Sequence, residues 1–518
     1  MRSKSGTRRS LGAAVIALTA VLAAGCGGGG SETAGGTGRQ ESVIRFAITA
    51  MPSQLDPIAT KNEVADVTYL NALYDGLTGV DAAGKIVPRL AERYERSDDG
   101  LSWTFTIRGG AVFHDGTPID AEAVAANLER ALDAAETSGV LKAKLAKVDS
   151  VETPDSRTVV IKLSEPDPSL PASLAGPALG IASPAAFGTL GTDPVGSGPY
   201  AFVSLKSDRV VYKRFEKYWD PGVAKVDNLE VLSIADGSAR MNALRSGQID
   251  AASAQLNLNA DIKAFREDSR FTVVETPTQS VVTLYLNTTR PPLDKPEVRR
   301  ALNYAVNSAE ISKSLLGGLC TPTNQPFPSG SGHVPALEGV YTYDPAKARQ
   351  LLQSAGAEGL KLKGIFLAAG VSGTIAPAVQ AQMAEAGITL ELKGVNPADA
   401  RPLFRAGDLD MMIHQINAEV DPALVLRNNF LGLDSPGGVP EEIEESADEA
   451  IGLPLDSPER TAALEEFSKK IVETPTHVHL CAVPNFFVGS SRVTGLDQMP
   501  WGGITLNPDV RVLGLTDK

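Results

Sequence analysis

Cysteine is scarce in this chain: three residues in 518, at positions 26, 320 and 481. There is no CxxC pair and there are only five histidines, so no segment has metal-ligand spacing and neither a metal nor a cofactor is expected. GxSxG, HExxH and Walker A motifs are missing too. A secreted hydrolase, the rival reading from another class, therefore has no nucleophile elbow or zinc helix to rest on, and "GSG" at 196–198 lacks the elbow spacing. After residue 25 no stretch approaches 18 uninterrupted apolar residues, which excludes a later spanning helix. Positive charge is short as well. The formal net charge is -14, and removing Arg2, Lys4, Arg8 and Arg9 from the N-terminus takes it to -18. An acidic body argues against a nucleic-acid partner.

What is present begins with "LTAVLAAGCGGGGSETAGGTG". Basic residues 2–9 precede an apolar run from Leu11 to about Leu22 and then Ala23, Ala24 and Gly25, the order of a secretory signal. "LAAGC" resembles a bacterial lipobox, with Ala23 where that pattern prefers leucine. Cleavage before Cys26 would leave its amino group and thiol free to carry lipid. Residues 27–40 are rich in Gly, Ser and Thr and have no apolar period, so they read as a flexible tether about 20 Å long on average. The expected layout is a signal peptide over 1–25, a tether over 26–40, and a body held at the outer face of the cytoplasmic membrane. In that oxidising compartment the even remainder, Cys320 and Cys481, predicts a disulfide; two buried free thiols are the alternative.

The body is long enough for two or three domains. "LSWTFTIR" (101–108) alternates Trp103, Phe105 and Ile107 with polar residues, a half-buried strand. From Asp120, Val124, Leu128 and Ala131 recur at helical spacing, with Asp120 as N-cap. "SVVTLYLNT" (280–288) is a continuous apolar strand, expected to be buried on both faces. "NSAE" (307–310) fits a capping box, and "DPAKARQLLQSAG" places Asp344 as cap, Pro345 at the first helical position and Gly356 at the end. The whole reads as mixed α/β in more than one unit.

Segment order then resembles the family 5 extracellular solute-binding proteins, the dipeptide-, oligopeptide- and nickel-binding lipoproteins of ABC importers. The resemblance is carried by "LYDGLTGVDAAGKIVPRLAERYERSDDGLSWTFTIRGGAVFHDGTPIDAEAVAANLERAL" (73–132), "DPVGSGPYAF" (193–202), "LYLNTTRPPLDKPEVRRALNYAVN" (284–307) and "YDPAKARQLLQSAG" (343–356). It implies a two-lobed fold of the periplasmic-binding-protein type, large and three-domained, with a cleft and a hinge between the lobes. The implied division is 41–80, 195–285 and 490–518 for domain I, 81–194 for an inserted domain II, and 286–489 for domain III. "SVVTLYLNT" and "PNFFVGSS" (484–491) would form the hinge. The implied partners are a small solute, peptide first, and the permease and ATPase of an importer; a monomer is expected. A nickel chelate, an oligosaccharide or another small polar solute is the alternative cargo.

Three stretches are candidates for solute contact. The loop after the first strand, "AMPSQLDP" (50–57), offers Ser53. The hinge entry, "TQSVV" (278–282), offers Gln279 and Ser280. "IHQINAEVDPALVL" (413–426) offers His414, Gln415, Asn417, Glu419 and Asp421. In peptide-binding relatives, the resemblance implies an acid four residues before a proline that holds the solute's ammonium group. Here that place is Ala418, with Glu419 and Asp421 close by; Asp421 also reads as the N-cap of a helix opened by Pro422. Trp501 is a possible aromatic wall. His114 and Asp115 in "FHDGTP", and Tyr74, Asp75 and Gly76, read as scaffold. His477 and His479 in "THVH" read as a hydrogen-bonded pair without a third metal ligand.

Overall fold

The computed structural model describes residues 41–60, 63–133, 135, 137–276, 280–368, 370–431, 436, 438–499 and 508–516. The segment from Glu41 to Lys518 is a compact unit of its own. Three sheets organise it. The first has seven strands, in the order β10–β17–β9–β1–β8–β7–β6. These are β1 (Val43–Ile48), β6 (Tyr200–Leu205), β7 (Arg209–Arg214), β8 (Asn228–Ser233), β9 (Ala251–Ala254), β10 (Phe271–Thr276) and β17 (Asn485–Ser490). β1 lies parallel to both β8 and β9, while β17 runs antiparallel to β9 and β10.

The second sheet has four antiparallel strands, β2 (Ala91–Arg96), β3 (Ser102–Ile107), β5 (Thr158–Leu163) and β4 (Val148–Asp155), in that order. Its alternation follows the sequence: Trp103, Phe105 and Ile107 are buried while their neighbours are partly exposed. The apolar face packs on helix α2 (Ala121–Asp133), the helix that follows α1 (Glu63–Leu73), through Val124, Leu128 and Ala131. Burying Val124 or Leu128 contributes about 1.5–3 kcal/mol each. Asp120 Oδ1 accepts the Ala123 N–H at 2.9 Å and starts that helix.

The third sheet runs β12 (Thr321–Pro322), β16 (His477–Ala482), β11 (Val281–Leu286), β15 (Met411–Ile416), β13 (Lys361–Leu367), β14 (Thr389–Val395). Every residue of β11 is buried, as its unbroken apolar run predicts. Val282, Leu284 and Leu286 enter one hydrophobic cluster, and Tyr285 enters another on the opposite face with helices α3 (Pro422–Asn429) and α4 (Pro458–Glu473). Cys320 and Cys481 are joined as a disulfide, Cα–Cα 5.6 Å, tying β12 to β16.

The helix caps follow the sequence with one difference. Asp344 accepts the Lys347 N–H at 2.8 Å, and Gly356 takes φ +67°, where a Cβ would be strained. Asn307 caps through the Glu310 N–H, but Glu310 does not reach back: its carboxylate takes the Ser314 hydroxyl, and Gln382 accepts the Asn307 N–H at 2.8 Å. A tertiary partner has replaced half of the capping box.

The chain passes between the first and third sheets twice, from β10 to β11 and from β16 to β17. All of β11 belongs to the third sheet and all of β17 to the first, so the crossings fall before Val281 and at 483–484, several residues ahead of the borders expected at 285/286 and 489/490. The two apolar runs are interior strands, and the links just before them are the crossings. There the Val483 N–H donates to Ser280 O at 2.9 Å, so the two links are bonded to each other.

Candidate functional site

Parallel strands end together, and their C-terminal ends are where open α/β sheets bind ligands. β1 ends at Ile48 and β9 at Ala254; Ala254 pairs with Phe486 at the start of β17. A small pocket opens here. Thr49, Ser253, Gln255 and Asn485 supply its polar lining, and Ile48, Phe486 and Phe487 its apolar wall. Among the described residues, none that lines it carries a formal charge. A neutral amide or hydroxyl group, with apolar surface beside it, suits such walls.

From this cavity a line of bonds leads into the other lobe. Asn485 follows the crossing at 483–484, Val483 is bonded to Ser280, and Ser280 Oγ accepts the Ala418 N–H at 2.9 Å. The segment that closes β15 and leads into α3 is thereby held beside the crossings. Ser280 is fully buried and engaged on both sides, so it braces this segment.

The other residues of that segment divide by environment. His414, Gln415, Asn417 and Glu419 are partly exposed. Burial, with the positive charge of Arg401, lowers the His414 imidazole to about 4, so it is neutral at physiological pH. Its ring stands edge-on to Tyr285, centroids 6.2 Å apart. Glu419 Oε1 accepts from Asn428 Nδ2 at 3.1 Å. Asp421 is different. It is fully buried, its Oδ1 caps α3 by accepting the Ala423 N–H at 2.9 Å, and its Oδ2 meets Arg460 Nη2 at 2.8 Å. Both carboxylate oxygens are engaged within the protein, as its reading as the N-cap of this helix anticipates. Arg460 was missed because its partner lies 39 residues upstream and nothing local marks an arginine that will be buried.

In the first loop, the Ser53 N–H donates to Asp66 Oδ1 at 2.7 Å and its hydroxyl donates to the same carboxylate. Tyr69 and Tyr74 fasten the loop through the carbonyls of Ala50 and Leu55, at 3.1 and 2.9 Å, and Arg130 of α2 pairs with Asp56. Ser53 therefore sits on a rigid loop, its donor directed at Asp66. Cys26, Gln279 and Trp501 lie outside the described residues. The cavity residues Thr49, Ser253, Gln255 and Asn485 were not singled out from sequence; only the position of Thr49 just past a strand end could have flagged one of them.

The motifs read as scaffold do that work. His114 accepts the Gly196 N–H at Nδ1 (3.1 Å) and sets Nε2 against Gly198 O (2.9 Å), locking "FHDGTP" onto "GSG". Burial lowers this imidazole to about 4. Asp75, fully buried, takes Tyr218 Oη at 2.7 Å, Trp219 Nε1 at 3.0 Å and the Arg511 guanidinium, which holds its carboxyl below the usual range against burial. His477 and His479 are buried with their rings stacked, centroids 5.6 Å apart and planes 7° from parallel. Their Nδ1 atoms meet Thr476 Oγ1 at 2.7 Å and Thr283 Oγ1 at 3.3 Å. Parallel rings send their in-plane lone pairs in directions that do not converge, so the pair is no chelate. Among the described residues no group of three or more His, Cys, Asp or Glu could hold a metal, and no helix is long and apolar enough to cross a membrane.

Comparison with known proteins gives the same architecture. In structure the chain is similar to the binding protein AgaA of A. tumefaciens R10, solved with agropinic acid (26% identity, TM-score 0.80, covering 92% of this chain and 99% of that one). It is also similar to DppA of Helicobacter pylori, solved with the peptide STSA (24%, TM-score 0.78, covering 92% and 98%). In sequence it is 33% identical over 317 residues to the glutathione-binding protein GsiB of Pectobacterium atrosepticum, a match that spans 60% of each chain. The family model described as bacterial extracellular solute-binding proteins, family 5, matches residues 85–437. The chain belongs to the bacterial extracellular solute-binding proteins of family 5, with a mixed α/β, two-lobed fold.

Proposed function

We propose that this chain is the extracytoplasmic solute-binding subunit of an ABC importer, lipid-anchored at Cys26, that encloses a small peptide between its lobes and hands it to a permease. In this reading the protein is not an enzyme and works as a monomer. Its domains are the seven-stranded unit, the inserted four-stranded unit and the six-stranded unit, with the hinge at the paired crossings. The observation that carries the reading is the bonding at those crossings: Val483, two residues before the pocket residue Asn485, donates to Ser280, and Ser280 Oγ accepts the Ala418 N–H of the His414–Glu419 segment. A solute touching both the pocket and that segment would favour the closed state by its differential affinity.

A peptide combines the required chemistry: neutral amides for Thr49, Gln255 and Asn485, an ammonium group for Glu419, and side chains for Phe486. The glutathione-binding and peptide-bound relatives support that class. Native mass spectrometry of the chain from residue 27 onward, after exposure to cell extract, tests it. Recovery of di- to pentapeptides or glutathione, released unchanged, is the expected result; a sugar or a metal chelate, or conversion of the cargo, would overturn it. The anchor is tested separately by fatty-acid labelling in cells, which Cys26→Ser should abolish.

A further inference from the structure

Two arginines of the six-stranded lobe reach groups of the inserted four-stranded unit. Arg427 Nη2, on α3, lies 3.3 Å from Oδ1 of Asp167, which belongs to the loop leaving β5. Arg460 Nη2, on α4, lies 3.1 Å from Ser169 Oγ in the same loop while holding Asp421. Asp167, Ser169, Asp421 and Arg460 are all buried, and the Arg427 side chain is 22% exposed. The loop itself is rigid: Trp103 Nε1 donates to Asp167 O at 3.0 Å, and Asp167 Oδ1 also accepts the Ser169 N–H at 3.1 Å.

We infer that Arg427–Asp167 and Arg460–Ser169 form a latch that holds the lobes together without help from cargo. The inference rests on the two-lobed clamp reading but assigns a different task to different residues. None of the four lines the cavity, so their contacts favour closure whatever occupies it. Opening separates Arg427 from Asp167 and Arg460 from Ser169, whereas Arg460 and Asp421 travel together on one lobe. Arg460 therefore couples two events. It joins the inserted unit to the residue that caps α3, which directly follows the cleft segment, so closing the lobes also fixes residues 417–421 in place. Because apparent affinity scales with the fraction of molecules in the competent state, the latch raises affinity for every cargo alike.

The test is the interlobe distance measured without solute. Spin labels on Leu101→Cys and Leu403→Cys report it; both positions are exposed, on the four-stranded unit and on the six-stranded lobe. Measured by pulsed electron resonance on the chain from Glu41, Arg427→Gln and Asp167→Asn should each roughly double the long-distance population, as expected when a closed state loses a stabilising contact. Arg427→Lys should restore most of the short-distance population, and the double variant should match the single ones. Asp167→Asn keeps an acceptor for the Ser169 N–H and so keeps the loop folded, which leaves one readable variant if Arg427→Gln does not fold. Unchanged distances in the foldable variants would overturn the latch. A parallel arm adds glutathione to the parent protein. If glutathione moves nothing while the variants still shift, the cargo reading fails and the latch stands.

Discussion

Arg460 and Asp421 form a fully buried ion pair, Nη2 to Oδ2 2.8 Å, between the first turn of α4 and the residue that opens α3. Neither group has water to fall back on. Removing one partner leaves the other charged and unpaired, a loss of about 3–5 kcal/mol, whereas a surface pair contributes under about 1 kcal/mol. Arg460→Met should therefore lower unfolding stability in urea by several kcal/mol, about as much as removing a large core side chain. Asp421→Asn should cost less, because the amide oxygen still caps the helix. A stability within about 0.5 kcal/mol of the parent for Arg460→Met would contradict this account.

The disulfide between Cys320 and Cys481 closes a loop of 161 residues and ties the edge strand β12 to β16, just ahead of a crossing. A cross-link of that span restricts the unfolded chain strongly, about 3–5 kcal/mol by loop-entropy reasoning. The double variant Cys320→Ser/Cys481→Ser should show that loss in denaturant, and a reducing agent should destabilise the parent protein while leaving the variant unmoved. Equal sensitivity of the two proteins to reductant would refute it.

Acid should unfold the six-stranded lobe before ordinary carboxylate protonation explains it. His477 and His479 are 2% exposed and burial drives both imidazoles down, His479 to about 3. Their folded values lie below the unfolded value near 6.5, so the unfolded chain binds more protons as pH falls, and stability declines from about pH 6.5 downward. Each group steepens that decline by about 1.4 kcal/mol per pH unit. His479→Gln should reduce the slope of unfolding free energy between pH 6 and pH 4 by one proton. A slope identical to the parent's would remove the histidine from the explanation.

Local signals were legible in the sequence wherever the cause was local. The period of Trp103, Phe105 and Ile107, the caps at Asp120, Asp344 and Asp421, and the burial of β11 all follow from neighbours within a turn or a strand. The family followed from segment order along the whole chain. What escaped was set by distant partners. Ser280 reads as an exposed polar group at a hinge until Ala418, 138 residues away, donates to it. An apolar run marks a buried strand equally well on either side of a crossing, so sequence alone does not say which sheet it joins. The cavity was missed for a related reason: Thr49, Ser253 and Asn485 come from three separated strands, and only the sheet order brings their ends together.

Both oxygens of Asp421 are engaged, by the Ala423 N–H and by Arg460, and the proposed function assigns the cationic group of a solute to Glu419, one residue from Ala418. Its carboxylate is partly exposed, and Asn428 Nδ2 is one of its donors, at 3.1 Å. Glu419→Gln removes the charge and keeps the shape. By calorimetry it should weaken an amino-terminally free peptide about tenfold, in line with the loss of a charge-assisted hydrogen bond, while an N-acetylated version of the same peptide should bind parent and variant equally. Unfolding stability should stay within about 0.5 kcal/mol of the parent, since Glu419 is partly exposed and the amide keeps its shape. Equal weakening of the free and acetylated peptides would show that Glu419 shapes the cleft without meeting the ammonium group.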